Sequence, residues 1–453
     1  MKKPVLMTEG KIWKQILLFA IPLLLGNLFQ QLYTIVDSIV VGNIIGKEAL
    51  AAVGSAGPAI GLLISIFIGI AAGSSVVISQ YYGAYQRDEL QKAIHTTVSF
   101  AIIIGMVLSI VGIVACPYML KMMDTPESIM ADSVLYFRIS FIGALPSMLY
   151  SIGCGIFRAI GDSARPLIFL IVSTISNTLL DLLFVGVFHF GIAGVAAAAV
   201  VADALSAFLV LRALCREKTD YRLDFKKLKI SGKHLRQIIG IGIPGGIQGA
   251  IVSLSGVIIQ SSINAFGDAA VAGCVAYNKI DGFALMPSGS FSIAVTTFIG
   301  QNVGAKKFDR VKKGARFGIL TAMFLSQALG ILIYIFAPNM IRMFNQDPDV
   351  IYYGTLMARN ISFAYFLLTL SQSMAGILRG AGLALAPMLI TGISWSLMRV
   401  AWVKLLVPVT YDIRVIFWAY PATWQITAFI FTVYFFKSDW MRRSGLKESY
   451  TEN

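Results

Sequence analysis

The sequence predicts an all-α integral membrane protein: twelve transmembrane helices in two six-helix bundles, related by a pseudo-two-fold axis along the membrane normal. Three observations predict it. The 453 residues are 57% hydrophobic and only 13% charged, with a mean hydropathy of +0.77; a soluble domain carries about 25% charged residues. The apolar residues gather into twelve long runs. The chain also repeats itself: GIFRAIGDSARP at 155–166 returns as GILRGAGLALAP at 376–387, 221 positions later.

The runs cover 15–43, 53–79, 94–116, 133–157, 166–188, 192–213, 237–265, 270–299, 315–337, 351–377, 386–408 and 414–436. Each is long enough for a helix to cross about 30 Å of hydrocarbon. No water in the bilayer core satisfies the backbone, so a span must be a helix or part of a closed barrel. These runs far exceed the roughly 10-residue alternating segments of barrel strands, so helices are expected. The opening MKKPVLMTEGKIWK leads into a run too long for a cleavable signal, with no small-residue cleavage site, and reads as the approach to span 1.

The repeat extends beyond one motif. Pro22 pairs with Pro244 at an offset of 222, and Gly46 with Gly267 at 221. Gln80 and Gly83 of QYYGA pair with Gln301 and Gly304 of QNVGA, also at 221. Each copy holds six spans, an even number, so both copies enter the membrane in the same orientation. A basic segment, CREKTDYRLDFKKLKISGKHLRQ at 215–237, falls between them. The expected division is an N-lobe over 1–214, a cytoplasmic linker over 215–236, and a C-lobe over 237–453 ending in a short cytoplasmic tail. Duplicated apolar units are the sequence form of a secondary transporter. Pro22 and Pro244 lie inside spans, where proline removes a helix hydrogen bond; Pro22 is the candidate hinge. Gly69 and Gly73 have the spacing that lets two helices approach closely.

The net charge of +14 suggests nucleic acid until the charges are placed. Counting spans from the N-terminus, 28 Lys and Arg fall on one side of the membrane and four on the other: Lys47, Lys121, Arg342 and Arg414. This is the positive-inside bias. It predicts a multi-pass protein of the cell's inner membrane, with both termini cytoplasmic and no nucleic-acid partner. Anionic lipid headgroups are the expected secondary partner of the basic side. Four cysteines, Cys116, Cys154, Cys215 and Cys274, show no paired spacing and read as buried small hydrophobes. There is no P-loop, nucleophile elbow or metal-ligand cluster, so no enzyme and no cofactor are expected.

Only four of the 23 acidic residues fall well inside spans: Asp37, Asp181, Asp203 and Asp281. A charge at that depth is costly and points to function. Asp37 and Asp181 each lie about seven residues from the outer end of their span, roughly 10 Å deep, so they can meet. Asn177 is one turn before Asp181 on the same face. Two carboxylates and an amide oxygen form a hard-oxygen cage suited to Na⁺. If the carboxylates crowd each other, the same cage holds H⁺ instead. Interhelical hydrogen bonding is the structural alternative. The second copy has Ile258 or Ile259, Met398 and Trp402 at the matching positions, so this constellation belongs to one copy. Asp203, on span 6, is a candidate to join it. Asp281 and Lys279, on span 8, are candidates to line a cleft for a cationic substrate.

At these residues the chain resembles the multidrug and toxic compound extrusion (MATE) family, over nearly its whole length. The resemblance rests on the combination: an Asp in span 1 with a Pro fifteen residues before it, QYYGA and QNVGA after spans 2 and 8, and the Arg-Gly turns after spans 4 and 10. It implies an antiporter that expels amphiphilic, often cationic compounds by alternating access, driven by inward Na⁺ or H⁺, and a monomer. In family members with an N-lobe ion site, a span-1 Asp and an Asn-x-x-x-Asp pair in span 5 match Asp37, Asn177 and Asp181; Tyr136 matches the span-4 Tyr. The family's span-6 Thr has no counterpart. Residues 196–202 read AAAAVVA, with Asp203 next. A lipid-linked oligosaccharide flippase of the same broad fold is the alternative. It needs a strongly basic central cavity, and these spans hold few cations.

Overall fold

The computed structural model describes residues 6–40, 47–122, 125 and 127–445, with the side chains of 33–40, 47–60, 62, 63, 122 and 128 left aside. Among the described residues there are helices and no strand. In chain order they are α1 (Ile12–Val40), α2 (Lys47–Gly83), α3 (Arg87–Met122), α4 (Glu127–Ile142), α5 (Ala144–Ala159), α6 (Ala164–Asp181), α7 (Gly191–Arg216) and α8 (Gly232–Asn264). There follow α9 (Asp268–Ala284), α10 (Met286–Gly304), α11 (Phe308–Arg342), α12 (Pro348–Ser362), α13 (Tyr365–Gly380), α14 (Leu385–Thr391), α15 (Met398–Thr410) and α16 (Arg414–Lys437). A π-helical stretch, Leu182–Val187, continues α6, and another, Gly392–Leu397, joins α14 to α15.

Nine helices among the described residues are long and apolar enough to cross a membrane, and eleven stretches are when two bent pairs are each taken as one span. The bends are 44° between α4 and α5 and 53° between α12 and α13. The twelfth predicted run coincides with α16, whose 24 residues suffice in length. It stays outside the apolar set because Trp, Tyr, Gln and Pro interrupt it.

The backbone carries the repeat as well as the sequence does. Gly161 and Gly382, 221 apart, both turn at φ 90°, which glycine adopts freely and other residues do not. Tyr85 and Lys306 end the two Gln-x-x-Gly-Ala motifs with φ of 57° and 55°. The Arg-Gly turns are thus equivalent chain reversals, each made by a left-handed glycine. In the first copy Asp162 caps the following helix by accepting from Ala164 N–H and Arg165 N–H, both at 3.1 Å.

Two compact units result. One comprises Leu25–Gly246; the other comprises Met7–Leu24 with Ile247–Gly445. The division does not follow the linker, because α1 and α8 each run from one unit into the other. They change over at 24/25 and 246/247, just past Pro22 and Pro244.

The Gln-x-x-Gly-Ala motifs explain how these helix ends are held. In the second unit, Gln301 accepts from the Met7 N–H at 2.9 Å, and Asn302 donates to the Met7 carbonyl at 3.2 Å. Arg310 donates to the carbonyls of Met7, Glu9 and Gly10 and to Gln15 Oε1, at 2.9–3.1 Å. In the first unit the equivalent motif meets the start of α8: Tyr81 donates to Gln237 Oε1 at 3.0 Å, and its ring centroid lies 5.3 Å from that of His234. Nearby, Lys233 pairs with Glu89 at 2.9 Å. Each motif therefore holds the leading end of the other copy's first span.

Further along α8 the contact with α2 is glycine on glycine. A Cβ on Gly69 would fall 2.4 Å from Gly246 N, and one on Gly73 would fall 2.6 Å from Gly242 N. No side chain fits there. The linker is also docked in the first unit: Arg87 pairs with Asp220 at 3.0 Å, and Arg165 pairs with Glu217.

Candidate functional site

In the first unit, α1, α5, α6 and α7 enclose a cavity of about 100 Å³ whose polar lining includes Gln30, Tyr150, Thr174, Asn177 and Asp203. On α6, Thr174 and Asn177 are three apart and so share a face. On α7, Ala199 and Ala202 present only methyl groups beside Asp203, and that is what leaves the space open. Asn177 is only 4% exposed. Asp203 accepts a hydrogen bond from the Ser147 hydroxyl of α5.

Two predicted residues, Asn177 and Asp203, therefore line one cavity. Asp181 is not among the lining residues; it sits one turn further along α6 and is 2% exposed. The π-helical stretch begins at the next residue, and such single turns often mark functional sites. Tyr136, on α4, packs against Val185 of that stretch and Val195 of α7. Asp37 belongs to α1, but its side chain lies outside the described residues. Sequence reasoning missed Tyr150, Ser147, Thr174 and Gln30. Their signal was the three- and four-residue spacing to Asn177 on α6, and nothing local on α1 or α5.

The second unit carries different side chains at the matching positions. At an offset of 221, Thr174, Asn177, Ala199 and Asp203 become Trp395, Met398, Tyr420 and Trp424. Trp395 and Trp424 are buried, and the Tyr420 and Trp424 rings meet edge-on with centroids 5.9 Å apart. Arg399 of α15 lays its guanidinium 4.2 Å from the Tyr420 ring centre and donates to Thr423 at 2.9 and 3.1 Å. Aromatic side chains stand in one copy where small and polar side chains line the cavity of the other.

Asp281 and Lys279 diverge on α9. Lys279 is exposed, with its ammonium 6.0 Å from the Phe344 ring centre. Asp281 is half-buried and turned into the unit, where its Oδ1 accepts from Tyr277 at 3.0 Å and from Tyr365 of α13. The two tyrosine oxygens are 2.9 Å apart.

A family model described as MatE matches residues 22–183 and again 244–402. The chain belongs to the MatE family. Both matched segments begin at the repeated prolines, so the family unit is the repeated unit. The MatE protein is 35% identical over 394 residues to the "Probable multidrug resistance protein YoeA" of Bacillus subtilis (strain 168), covering 85% of this chain and 84% of that one. It is 25% identical over 391 residues to a "Probable multidrug resistance protein NorM" of Thermotoga maritima, covering 85% and 84%. Its fold matches that of a MATE crystal structure in complex with MaL6 at a TM-score of 0.92, with 21% identity and coverage of 98% and 100%.

Proposed function

We propose that this MatE protein is a secondary multidrug efflux antiporter of the inner membrane. It exports amphiphilic or cationic small molecules by alternating access, in exchange for Na⁺ or H⁺ entering at Asp37, Asn177 and Asp181. The observation that carries the reading is the first-unit cavity, lined by a buried Asn177 and the Ser147-bonded Asp203, at positions where the second copy has Met398 and Trp424.

Coupling requires a group whose charge state differs between two conformations. Deprotonated Asp37 and Asp181 attract the ion from outside, with the Asn177 carbonyl as a neutral ligand. Tyr136, packed on the π-helical stretch after Asp181, transmits the resulting shift toward α7. Asp203 lies on the cavity wall beside Asn177 and completes the polar surface that ion binding reshapes. Pro22 interrupts α1 just before the chain changes units, which suits it as the hinge. The membrane potential supplies about 2.3 kcal/mol per charge per 100 mV. Both termini are cytoplasmic, the basic face meets anionic lipid, and the working form is a monomer.

The test is efflux of a fluorescent lipophilic cation from cells expressing the chain, with Na⁺ and pH gradients imposed separately. Efflux that follows one gradient supports the reading and names the ion. Efflux indifferent to both gradients overturns it.

The cavity makes its own prediction. Ala199→Tyr installs the second copy's side chain and fills the space. Gradient-driven efflux is expected to fall at least tenfold while membrane expression and melting temperature stay near wild type. Ala199→Ser, which leaves the space open, should transport normally in the same assay.

A further inference from the structure

We propose that His95 is a pH-sensitive latch on the linker: its neutral imidazole holds residues 220–224 against α3, and protonation of the ring releases them. The linker lies along a stripe of α3. Arg87, Gln91 and His95 stand four residues apart, on one face of the helix. Arg87 pairs with Asp220 at 3.0 Å, and Gln91 donates to the carbonyls of Asp220 and Arg222 at 2.5 and 3.2 Å. His95 comes next, only 4% exposed, and meets the backbone of Asp224. Thr96 Oγ1 then donates to the Lys229 carbonyl at 3.4 Å and accepts from the Ser231 N–H at 3.0 Å.

The two partners of His95 leave its ring no choice of state. Nδ1 lies 2.7 Å from the Gln91 carbonyl, which only accepts, so Nδ1 carries the hydrogen. Nε2 lies 3.2 Å from the Asp224 backbone N–H, which only donates, so Nε2 offers its lone pair. One donor and one acceptor make the neutral imidazole. A proton added at Nε2 sets two N–H groups against each other, and the bond to Asp224 is lost. Neutral His95 therefore favours the docked linker. Docking weakens as pH falls through the range where histidine gains its proton, between about pH 5 and 8.

The charged and titratable groups around the ring have their own settings. On the linker, Asp224 Oδ1 accepts from the Lys226 N–H at 3.0 Å, and Arg222, Lys226 and Lys227 are exposed. On α3, Glu89 and Lys92 pair at 2.8 Å. From α8, Lys233 pairs with Glu89 at 2.9 Å, and His234 Nε2 lies 3.4 Å from the same carboxylate. α2 brings Tyr82, near Asp220. α7 brings Cys215, near Arg222 and Asp224, and α5 brings Arg158, beside Cys154. A proton on His234 strengthens its contact with Glu89, so acid tightens the start of α8. Release at 220–224 falls to His95 alone.

The latch is not a feature of packing shared by both copies. At an offset of 221, Gln91, His95 and Thr96 correspond to Lys312, Arg316 and Phe317. The stripe that reads the linker therefore belongs to the first copy. A role for the latch in transport rests on the efflux reading; release of the linker does not.

Hydrogen–deuterium exchange of the full chain in lipid nanodiscs tests the latch, with wild type and His95→Gln compared at matched pH. Matching cancels the intrinsic pH dependence of exchange and the titration of His234. The glutamine amide stays neutral at every pH. For the amides of 220–227, the ratio of wild-type to His95→Gln exchange rates should rise about fivefold or more from about pH 8 to about pH 5.5, the worth of one hydrogen bond. His95→Lys carries a fixed cation, so its linker should exchange faster than wild type at the higher pH and match it at the lower. A wild-type to His95→Gln ratio that stays constant overturns the proposal. So does a ratio that falls with acid, which would mean that the Asp224 carboxylate captures the protonated ring. The readout needs no substrate. A wild type that exports nothing yet shows the rise overturns the efflux reading alone.

Discussion

Asp181→Asn is expected to reduce gradient-driven efflux by about ten- to a hundredfold while leaving the protein folded. Asp181 is 2% exposed and lies one turn from Asn177, immediately before the π-helical stretch. Under the proposed mechanism it is a charged ligand of the coupling ion. Replacing it with a neutral amide of the same shape removes about 1.5–3 kcal/mol of ion binding, which is about one to two factors of ten. Volume is preserved, so packing should survive. The measurement is initial efflux rate against gradient size in membrane vesicles, normalised to protein amount. Asp203→Asn makes a useful contrast. Its amide oxygen still accepts from Ser147, so the wall of the cavity is kept. Its effect should be smaller than that of Asp181→Asn. Equal rates for Asp181→Asn and wild type would remove Asp181 from the ion site.

Arg310→Ala is expected to give a large stability loss. One guanidinium satisfies the carbonyls of Met7, Glu9 and Gly10 as well as Gln15 Oε1 and Asn302 Oδ1. Its removal leaves those acceptors to water, at a cost of about 2–4 kcal/mol. The melting temperature of the detergent-solubilised protein should drop by several degrees. Arg310→Lys should not restore it, because a single ammonium cannot span acceptors that a planar fork reaches together. An unchanged melting temperature would mean that Gln301, Asn302 and Lys307 hold the leading segment without it.

These two residues also show where sequence reading reaches and where it stops. The burial of Asp181 on a helix, one turn after Asn177, was legible because both are polar residues inside an apolar run. The helical character, the duplication and the Arg-Gly turns were legible for similar reasons: long apolar runs permit little else, and Gly161 and Gly382 are the residues a left-handed turn favours. Arg310 was not legible as an anchor. It recognises backbone carbonyls, and those carry no signature in the residues that supply them. The changeover of α1 and α8 between units was hidden for the same reason.

The cavity was hidden differently. Its existence depends on Ala199 and Thr174 standing where the other copy has Tyr420 and Trp395, and that contrast means something only when facing sides are known. Asp281 was half legible. Its partner Tyr277, four residues earlier, was available from helical spacing, but Asp281 was read together with Lys279 as lining a cleft. Tyr365 is 84 residues away and only the packing of α13 on the same cluster brings it close.

The most direct test of the central claim is simultaneous measurement of cation uptake and substrate export in proteoliposomes of wild type and Asp37→Asn. Inward Na⁺ or H⁺ movement that accompanies export in fixed ratio in the wild type, and vanishes together with it in Asp37→Asn, is the predicted result. Export that continues in Asp37→Asn with the same accompanying ion flux would contradict the account.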